Sequence, residues 1–203
     1  GAFLASFVLD RQFGLDRGFD IYSDGMTTGT GNSQLEQENR GSVVVDRALA
    51  WLQEQPARRF FCWVHFFDPH TPYDPPAPFR GPGIQPYDGE IAYMDSQIQR
   101  LLDFLDAHGL RDRTLIVAVG DHGEALGEHG EHGHGEFIYD TTLRVPLILN
   151  LPGRIPAGQS VGRAVGLSSV AGSILAMAGC ARPAGMRKGD LQDRDASDEA
   201  CYG

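Results

Sequence analysis

Two short apolar runs, at residues 60–67 and 114–119, place the strongest constraint on how this chain folds. Each has the length of a buried strand, and neither shows the polar alternation of a strand with one solvent-facing side. Strands that are apolar on both faces belong to parallel sheets covered on both sides. Apolar residues recur at helical spacing over residues 44–52 and 91–105. We therefore predict an α/β fold with a mostly parallel central sheet flanked by helices.

Local signals predict the bounds of the other elements. Ser42 is expected to be the N-cap of the first helix, which Pro56 ends. The second helix is predicted to stop at Gly109 and to bury one apolar face, formed by Ile91, Met94, Ile98, Leu101, Leu102 and Leu105. Further predictions are strands within residues 2–9 and 142–149, a long polar loop at 18–41 and a short helix at 168–178.

The composition limits the partners of the chain. Its 203 residues are 41% apolar, which is enough to bury the core of one globular domain. Seventeen Lys plus Arg against 27 Asp plus Glu give a formal net charge of −10 without a basic block, which argues against nucleic-acid binding. No apolar run is long enough to span a bilayer. The three cysteines show neither a disulfide framework nor metal-site spacing, and Cys62 is expected to be a small buried hydrophobe.

Asp121 and His122 directly follow the second apolar run. In the turn beyond a strand a carboxylate and an imidazole can reach one ion, and Gly123 allows a close approach of the backbone. A mixed oxygen and nitrogen donor set suits Zn²⁺ or Mn²⁺ better than Ca²⁺. Spacing leaves an alternative open, in which His122 caps the following turn and Asp121 accepts backbone N–H bonds.

The other histidines near this turn, and one in a proline-rich loop, are further candidates. His134 is flanked by glycines that let its imidazole fold over a neighbouring site, and His129 and His132 are expected to be surface loop residues. Only the family resemblance given below separates His134 from the other two. His70 follows the first apolar run, and ligands of α/β sheets bind beyond such strand ends. Its imidazole could contact an anionic ester oxygen or protonate a leaving group. The alternative is a hydrogen bond to carbonyl groups of its own loop.

Four motifs occur in the order found in sulfatases. They are F-D-P-H-T-P-Y at 67–73, Y-D-G-E-I-A-Y-M-D at 87–95, G-D-H-G-E-A-L-G-E-H-G at 120–130 and R-V-P-L-I at 144–148. The segment at 13–20 is also similar to the stretch that follows the nucleophile region of these enzymes. The chain therefore resembles the sulfatase family of the alkaline phosphatase superfamily over nearly all its length, and the resemblance implies an alkaline phosphatase-like fold.

The resemblance implies roles by position. Asp121 and His122 match the later pair of ligands to one divalent metal ion, which the chemistry of the pair suggests is Zn²⁺ or Mn²⁺, with Ca²⁺ as an alternative. His70 and His134 match residues that contact the ester oxygens, and His70 could assist the leaving group. The metal and both imidazoles would then stabilise negative charge on the transferring group.

Two features of the family have no match in the chain. They are the nucleophile, a Cys or Ser in a C/S-x-P-x-R segment or a Thr, and the paired acidic metal ligands near the start of the fold. We therefore expect residues 1–203 to be one partial catalytic domain, incomplete at both ends, from the central to C-terminal portion of a longer enzyme. No internal boundary is predicted, and the tail at 187–203 is weakly patterned. The chain alone is expected to be inactive.

The expected activity of the parent enzyme is metal-dependent hydrolysis of a sulfuric or phosphoric ester of a small molecule, glycan or lipid. Alternatives in the same superfamily are a phosphodiesterase, a phosphonate hydrolase or a phosphoethanolamine transferase. An alternative of another class is a noncatalytic remnant that binds a metal or an anion. The sequence leaves the oligomeric state and the compartment open, and the resemblance is compatible with a periplasmic, extracellular or membrane-anchored parent.

Overall fold

The computed structural model of the protein describes residues 1–26, 38–55, 59–186 and 191. Contacts between Cα atoms divide the chain into two compact units, Gly1–Leu110 and Arg111–Gly203. Most of the predicted weakly patterned tail, part of the predicted long loop and Pro56 lie outside the described residues. Among the described helices, none is both long enough and apolar enough to cross a membrane.

The first unit is built on a parallel sheet of three short strands, which confirms the α/β prediction. β1 (Ala2–Phe3) lies between β2 (Tyr22–Ser23) and β3 (Trp63–Val64), with Ala2 opposite both Tyr22 and Trp63. Side chains alternate between the faces of the central segment. One face packs in a cluster of Phe3, Ala5, Val44 and Ala48, and the other in a cluster of Ala2, Leu4 and Tyr22. β3 is shorter than the apolar run at 60–67 because regular pairing with β1 covers only two residues.

Helix α1 (Gly41–Gln53) packs its buried Val44, Val45, Ala48 and Leu52 toward the core. The prediction of Ser42 as its N-cap is wrong, since the helix already begins at Gly41 and Arg40 is the capping residue. The N–H groups of the first turn have no partner within the helix, and two of them donate to side chains from distant segments. Asp68 Oδ2 accepts the Gly41 N–H at 3.0 Å, and the Tyr93 hydroxyl accepts the Ser42 N–H at 2.9 Å.

Helix α2 (Pro86–Ala107) ends as predicted before Gly109, which adopts φ +63°. Its predicted buried face is wrong in part. The buried residues are Gly89, Glu90, Tyr93, Gln97 and Leu105, whereas Ile91 is exposed. Polar side chains can occupy this face because they find partners there: Glu90 accepts a backbone amide, and Gln97 Oε1 accepts a hydrogen bond from Arg100 at 2.8 Å.

The second unit contains two antiparallel strand pairs. β4 (Ile116–Val119) pairs with β7 (Leu147–Asn150), and β5 (Ala125–Leu126) pairs with β6 (His132–Gly133) in a hairpin. The strand predicted at 142–149 begins later, because residues 140–143 form a helical turn, α3 (Asp140–Leu143). The last helix, α4 (Val170–Met177), falls within the predicted span and buries Gly172, Ser173 and Met177.

Candidate active site

The Asp121–His122 turn follows the end of β4, as predicted for a strand-end site. Two backbone hydrogen bonds hold its flanks, from Gly120 N–H to the Pro146 carbonyl at 3.1 Å and from Gly123 N–H to the Thr142 carbonyl at 2.8 Å. The Asp121 side chain is 80% exposed and that of His122 is 41% exposed. The turn therefore presents a carboxylate and an imidazole to the surface of the second unit on a backbone anchored at both sides.

The hydrogen bonds of this turn determine the tautomer of His122. Its Nδ1 lies 3.0 Å from the Gly123 carbonyl oxygen, which can only accept, so Nδ1 carries a proton and, in the neutral ring, Nε2 carries the lone pair. Nε2 lies 3.9 Å from Oδ1 of Asp121. The same carboxylate oxygen accepts the His122 N–H at 3.0 Å. The bond from the His122 N–H matches the alternative for Asp121, in which its carboxylate accepts backbone N–H bonds.

His134 lies next to His122 in the second unit. It follows β6, and its ring stacks on that of His122 with centroids 3.9 Å apart and planes 28° apart. Its Nδ1 lies 3.2 Å from Oε1 of Glu124, whose side chain is only 5% exposed. The structure therefore brings Asp121, His122 and His134 together. Sequence reasoning gave Glu124 no separate role, although its position two residues after His122 was a usable signal.

His129 and His132 are both exposed, as expected of surface residues. His129 adopts φ +57° and stacks on Tyr139 with ring centroids 4.2 Å apart. His132 lies in β6, opposite Leu126 in the hairpin. Within the described part of the chain, no group of three or more His, Cys, Asp or Glu side chains is arranged to hold a metal ion. Asp121 and His122 thus offer two donors.

His70 belongs to the first unit. Its ring stacks on Phe67 with centroids 4.1 Å apart, and its Nδ1 lies 2.7 Å from the Thr71 carbonyl oxygen, which requires the proton on Nδ1. The predicted alternative for His70, a hydrogen bond to a carbonyl of its own loop, is therefore present in the structure. A small depression beside this ring is lined by Glu38, Asn39, Arg40, Phe67, Asp68, Pro72, Asp74 and Glu90.

Four carboxylates line this depression, and three of them have raised pKa values. Burial raises the pKa of Asp68, although the Gly41 amide opposes the shift. Burial, reinforced by the charge of Asp68, also raises the pKa of Glu38. Burial raises the pKa of Glu90 to about 7, with the charges of Asp68 and Glu38 adding to the shift. The surroundings of His70 are therefore rich in carboxylates, three of which have raised pKa values.

Comparison with known proteins relates this chain to one family. A sequence model of the family described as Sulfatase matches residues 10–180. Iduronate 2-sulfatase of Homo sapiens is 43% identical over 85 residues, which cover 41% of this chain and 15% of that protein.

Solved structures show the same fold. A putative sulfatase from Bacteroides fragilis superposes with a TM-score of 0.62 at 21% identity, over 70% of this chain and 37% of that one. A protein solved in complex with its substrate D-glucosamine-2-N,6-O-disulfate superposes with a TM-score of 0.63 at 19% identity, over 78% of this chain and 52% of that one. The chain thus spans about half or less of these proteins, and the alkaline phosphatase-like α/β prediction is confirmed. Because the family model covers most of its residues, this chain belongs to the sulfatase family.

Proposed function

We propose that the protein containing this chain hydrolyses sulfate esters with the help of one divalent metal ion. Family membership supports the reaction class. The observation that carries the proposal is the grouping of Asp121, His122 and His134 on one turn and its adjacent hairpin. A carboxylate and two imidazoles give this surface the groups needed to bind a metal and a sulfate oxygen, although the net charge of the chain is −10.

The donor atoms of the turn suit a transition metal. Zinc bonds to imidazole nitrogen and carboxylate oxygen are each about 2.0–2.2 Å long, so one ion can reach both atoms across the observed 3.9 Å. The hydrogen bond from His122 Nδ1 to the Gly123 carbonyl is the outer contact that orients a ligating histidine. A metal bound here would polarise an ester oxygen as a Lewis acid. Further ligands would come from acidic residues that the family places outside this chain.

The two histidines predicted to contact the ester are each oriented through Nδ1. The Glu124 carboxylate accepts from Nδ1 of His134, and the Thr71 carbonyl accepts from Nδ1 of His70. In each ring we assign Nε2 to the chemistry on the substrate. When the ring is doubly protonated, Nε2–H can donate to a sulfate oxygen, or to the leaving-group oxygen in the case of His70.

A sulfated glycan is the substrate class that we propose. Two similar proteins support it: the human relative is an iduronate 2-sulfatase, and one solved structure holds a disulfated glucosamine as its substrate. A second candidate is hydrolysis or transfer of a phosphate or phosphonate ester. It is favoured by His122 and His134, which stand where calcium arylsulfatases more often carry asparagine and lysine.

Paired assays test these proposals on the protein that contains this chain. The protein is stripped with a chelator, then supplied with Zn²⁺, Mn²⁺ or Ca²⁺ and assayed with 4-nitrophenyl sulfate and 4-nitrophenyl phosphate. We expect turnover of the sulfate that requires a metal. Turnover of the phosphate alone would favour the second candidate, and turnover of neither ester with any metal would leave the noncatalytic alternative.

Metal binding by the Asp121–His122 turn is tested separately by calorimetric titration of Zn²⁺ and Mn²⁺. We expect His122→Ala to weaken binding at least tenfold, because the variant loses a direct donor. His132→Ala is the matched control, since it removes an exposed imidazole from the adjacent hairpin. Equal affinities of the two variants would contradict the metal assignment.

A further inference from the structure

The segment that carries His70, here called the proline loop (residues 68–78), is held near its start and near its middle by polar contacts. Near its start, Asp68 Oδ2 accepts the amide of Gly41, in the first turn of α1. Near its middle, Arg40 donates from Nη1 to the Asp74 carbonyl and from Nη2 to the Asp74 carboxylate, both at 2.8 Å. Since the loop contains five prolines, it offers few amides of its own for internal hydrogen bonds.

A third anchor comes from near the N-terminus of α2. Glu90 is 4% exposed, and its Oε1 accepts the Asp74 N–H at 2.8 Å. The backbone amides of Asp74 and His70 oppose part of the rise that burial causes in the pKa of Glu90. Glu90 therefore contacts the loop just beyond Thr71 and Pro72, the residues that follow the predicted catalytic histidine.

The helix lies directly against the loop at this point. A Cβ on Gly89 would come within 2.3 Å of the Phe79 carbonyl oxygen and 2.9 Å of Pro75 Cγ. Two aromatic contacts, Tyr73 with Tyr87 and Phe79 with Tyr93, flank the glycine with ring centroids 5.4 Å and 5.7 Å apart. A small change in the Glu90 contact would therefore be transmitted to the backbone that bears His70.

Glu90 is poorly placed for a residue that serves stability alone. Its second carboxylate oxygen is buried without a hydrogen-bond partner, and the carboxylates of Asp68 and Glu38 repel its charge. An apolar side chain would fill the same space on α2 without the unsatisfied oxygen, but it would leave the Asp74 N–H without its acceptor. The feature that only an oxygen acceptor supplies is the hydrogen bond to the loop.

We infer that Glu90 is a positioning residue, whose buried carboxylate holds the proline loop so that the His70 imidazole meets the substrate in a reactive orientation. The inference rests on the proposed function of His70. Glu90 is not proposed to touch the substrate, and it acts through the Asp74 amide. Misplacing a catalytic group by about 1 Å can cost on the order of 100-fold in rate.

A pair of neutral variants of similar size isolates the hydrogen bond. Glu90→Gln keeps an acceptor oxygen for the Asp74 amide, whereas Glu90→Leu removes it. Asp95→Asn is the matched control, because it neutralises an exposed carboxylate on the same helix. The readouts are kcat and KM for 4-nitrophenyl sulfate in the protein that contains this chain. Hydrogen exchange by mass spectrometry of a peptide covering residues 70–79 provides a readout that does not depend on activity.

We expect Glu90→Gln and Asp95→Asn to keep kcat within about threefold of the original protein. Glu90→Leu should lose about 10- to 100-fold in kcat with KM changed less than threefold, and amide exchange in the 70–79 peptide should accelerate at least tenfold. Should Glu90→Leu fail to fold, Glu90→Asp, which withdraws the carboxylate by one methylene, replaces it. Equal kcat and equal exchange in the Gln and Leu variants would overturn the inference. An original protein that turns over no ester would refute the proposed function instead, and the exchange data would still test the anchor.

Discussion

Replacing Gly123 with alanine tests whether the Asp121–His122 turn depends on close contact with the chain at residues 141–142. The Gly123 N–H donates to the Thr142 carbonyl at 2.8 Å. A Cβ at residue 123 would lie 2.1 Å from the Thr141 carbonyl oxygen, whereas ordinary van der Waals contact begins at 3.4 Å. The two backbone segments would have to separate by about 1.3 Å, because a carbonyl group cannot rotate away as a flexible side chain can.

The separation has a cost that can be measured in two ways. Overpacking costs about 1–3 kcal/mol, and the lengthened bond to Thr142 adds about 1 kcal/mol. We expect Gly123→Ala to lower the free energy of unfolding in urea by about 2–4 kcal/mol. Since His122 moves with its neighbour, we also expect Zn²⁺ affinity to fall about 10- to 100-fold, as it does when the support of a ligand is lost.

The control for this prediction is Gly162→Ala, because a Cβ there meets no atom within 4 Å. It adds the same methyl group to the second unit without forcing a backbone shift, so it should unfold and bind Zn²⁺ like the original protein. If the two alanine variants proved equally stable and bound Zn²⁺ equally well, close packing would not hold the turn, and the argument from the Thr141 contact would be refuted.

Two further predictions concern the first unit and the cysteines. Arg11 hydrogen-bonds the Asp24 carboxylate and lowers its pKa, so the pair stabilises the fold above about pH 4 and loses this effect as pH falls through the lowered pKa. Asp24→Asn should therefore destabilise the protein in urea at pH 7 but much less at pH 3. Burial raises the pKa of the Cys62 thiol to about 11, so iodoacetamide at pH 8 should label exposed Cys180 at least tenfold faster by peptide mass spectrometry.

Strand-end reasoning located two features correctly from sequence. The apolar run at 60–67 predicted a strand of a parallel sheet, and β3 pairs in parallel with β1. The run at 114–119 predicted the strand before Asp121, and β4 ends two residues earlier. Both strands were located because each apolar run is continuous and ends at polar residues. The expected parallel, doubly covered sheet is wrong for β4, which pairs antiparallel with β7 and leaves Val119 46% exposed.

The buried face of α2 could not be predicted in the same way. Hydrophobic spacing favoured Ile91, which is 38% exposed, over Glu90, which is 4% exposed. Glu90 is tolerated in the interior because its partner, the Asp74 amide, lies 16 residues away. The first turn of α1 shows the same limit, since the acceptor of its Gly41 amide is Asp68, 27 residues along the chain. Hydrogen bonds between residues so far apart produce no periodic pattern in the sequence, so they cannot be predicted from it.

A buried glutamate supports each of the two histidines predicted to contact the ester. The Glu124 carboxylate lies 3.2 Å from Nδ1 of His134, and Glu90 holds the loop of His70 through the Asp74 amide. Buried carboxylates are costly unless they are paired, so their presence is best explained by the groups they orient. His70 can be proposed from sequence because it follows a predicted strand, and His134 because its position matches a substrate-contacting residue of the family. Glu90 and Glu124 can be assigned a supporting role only from the structure, because their partners are distant in sequence. These two carboxylates, more than the histidines themselves, determine whether the imidazoles are held in a fixed orientation.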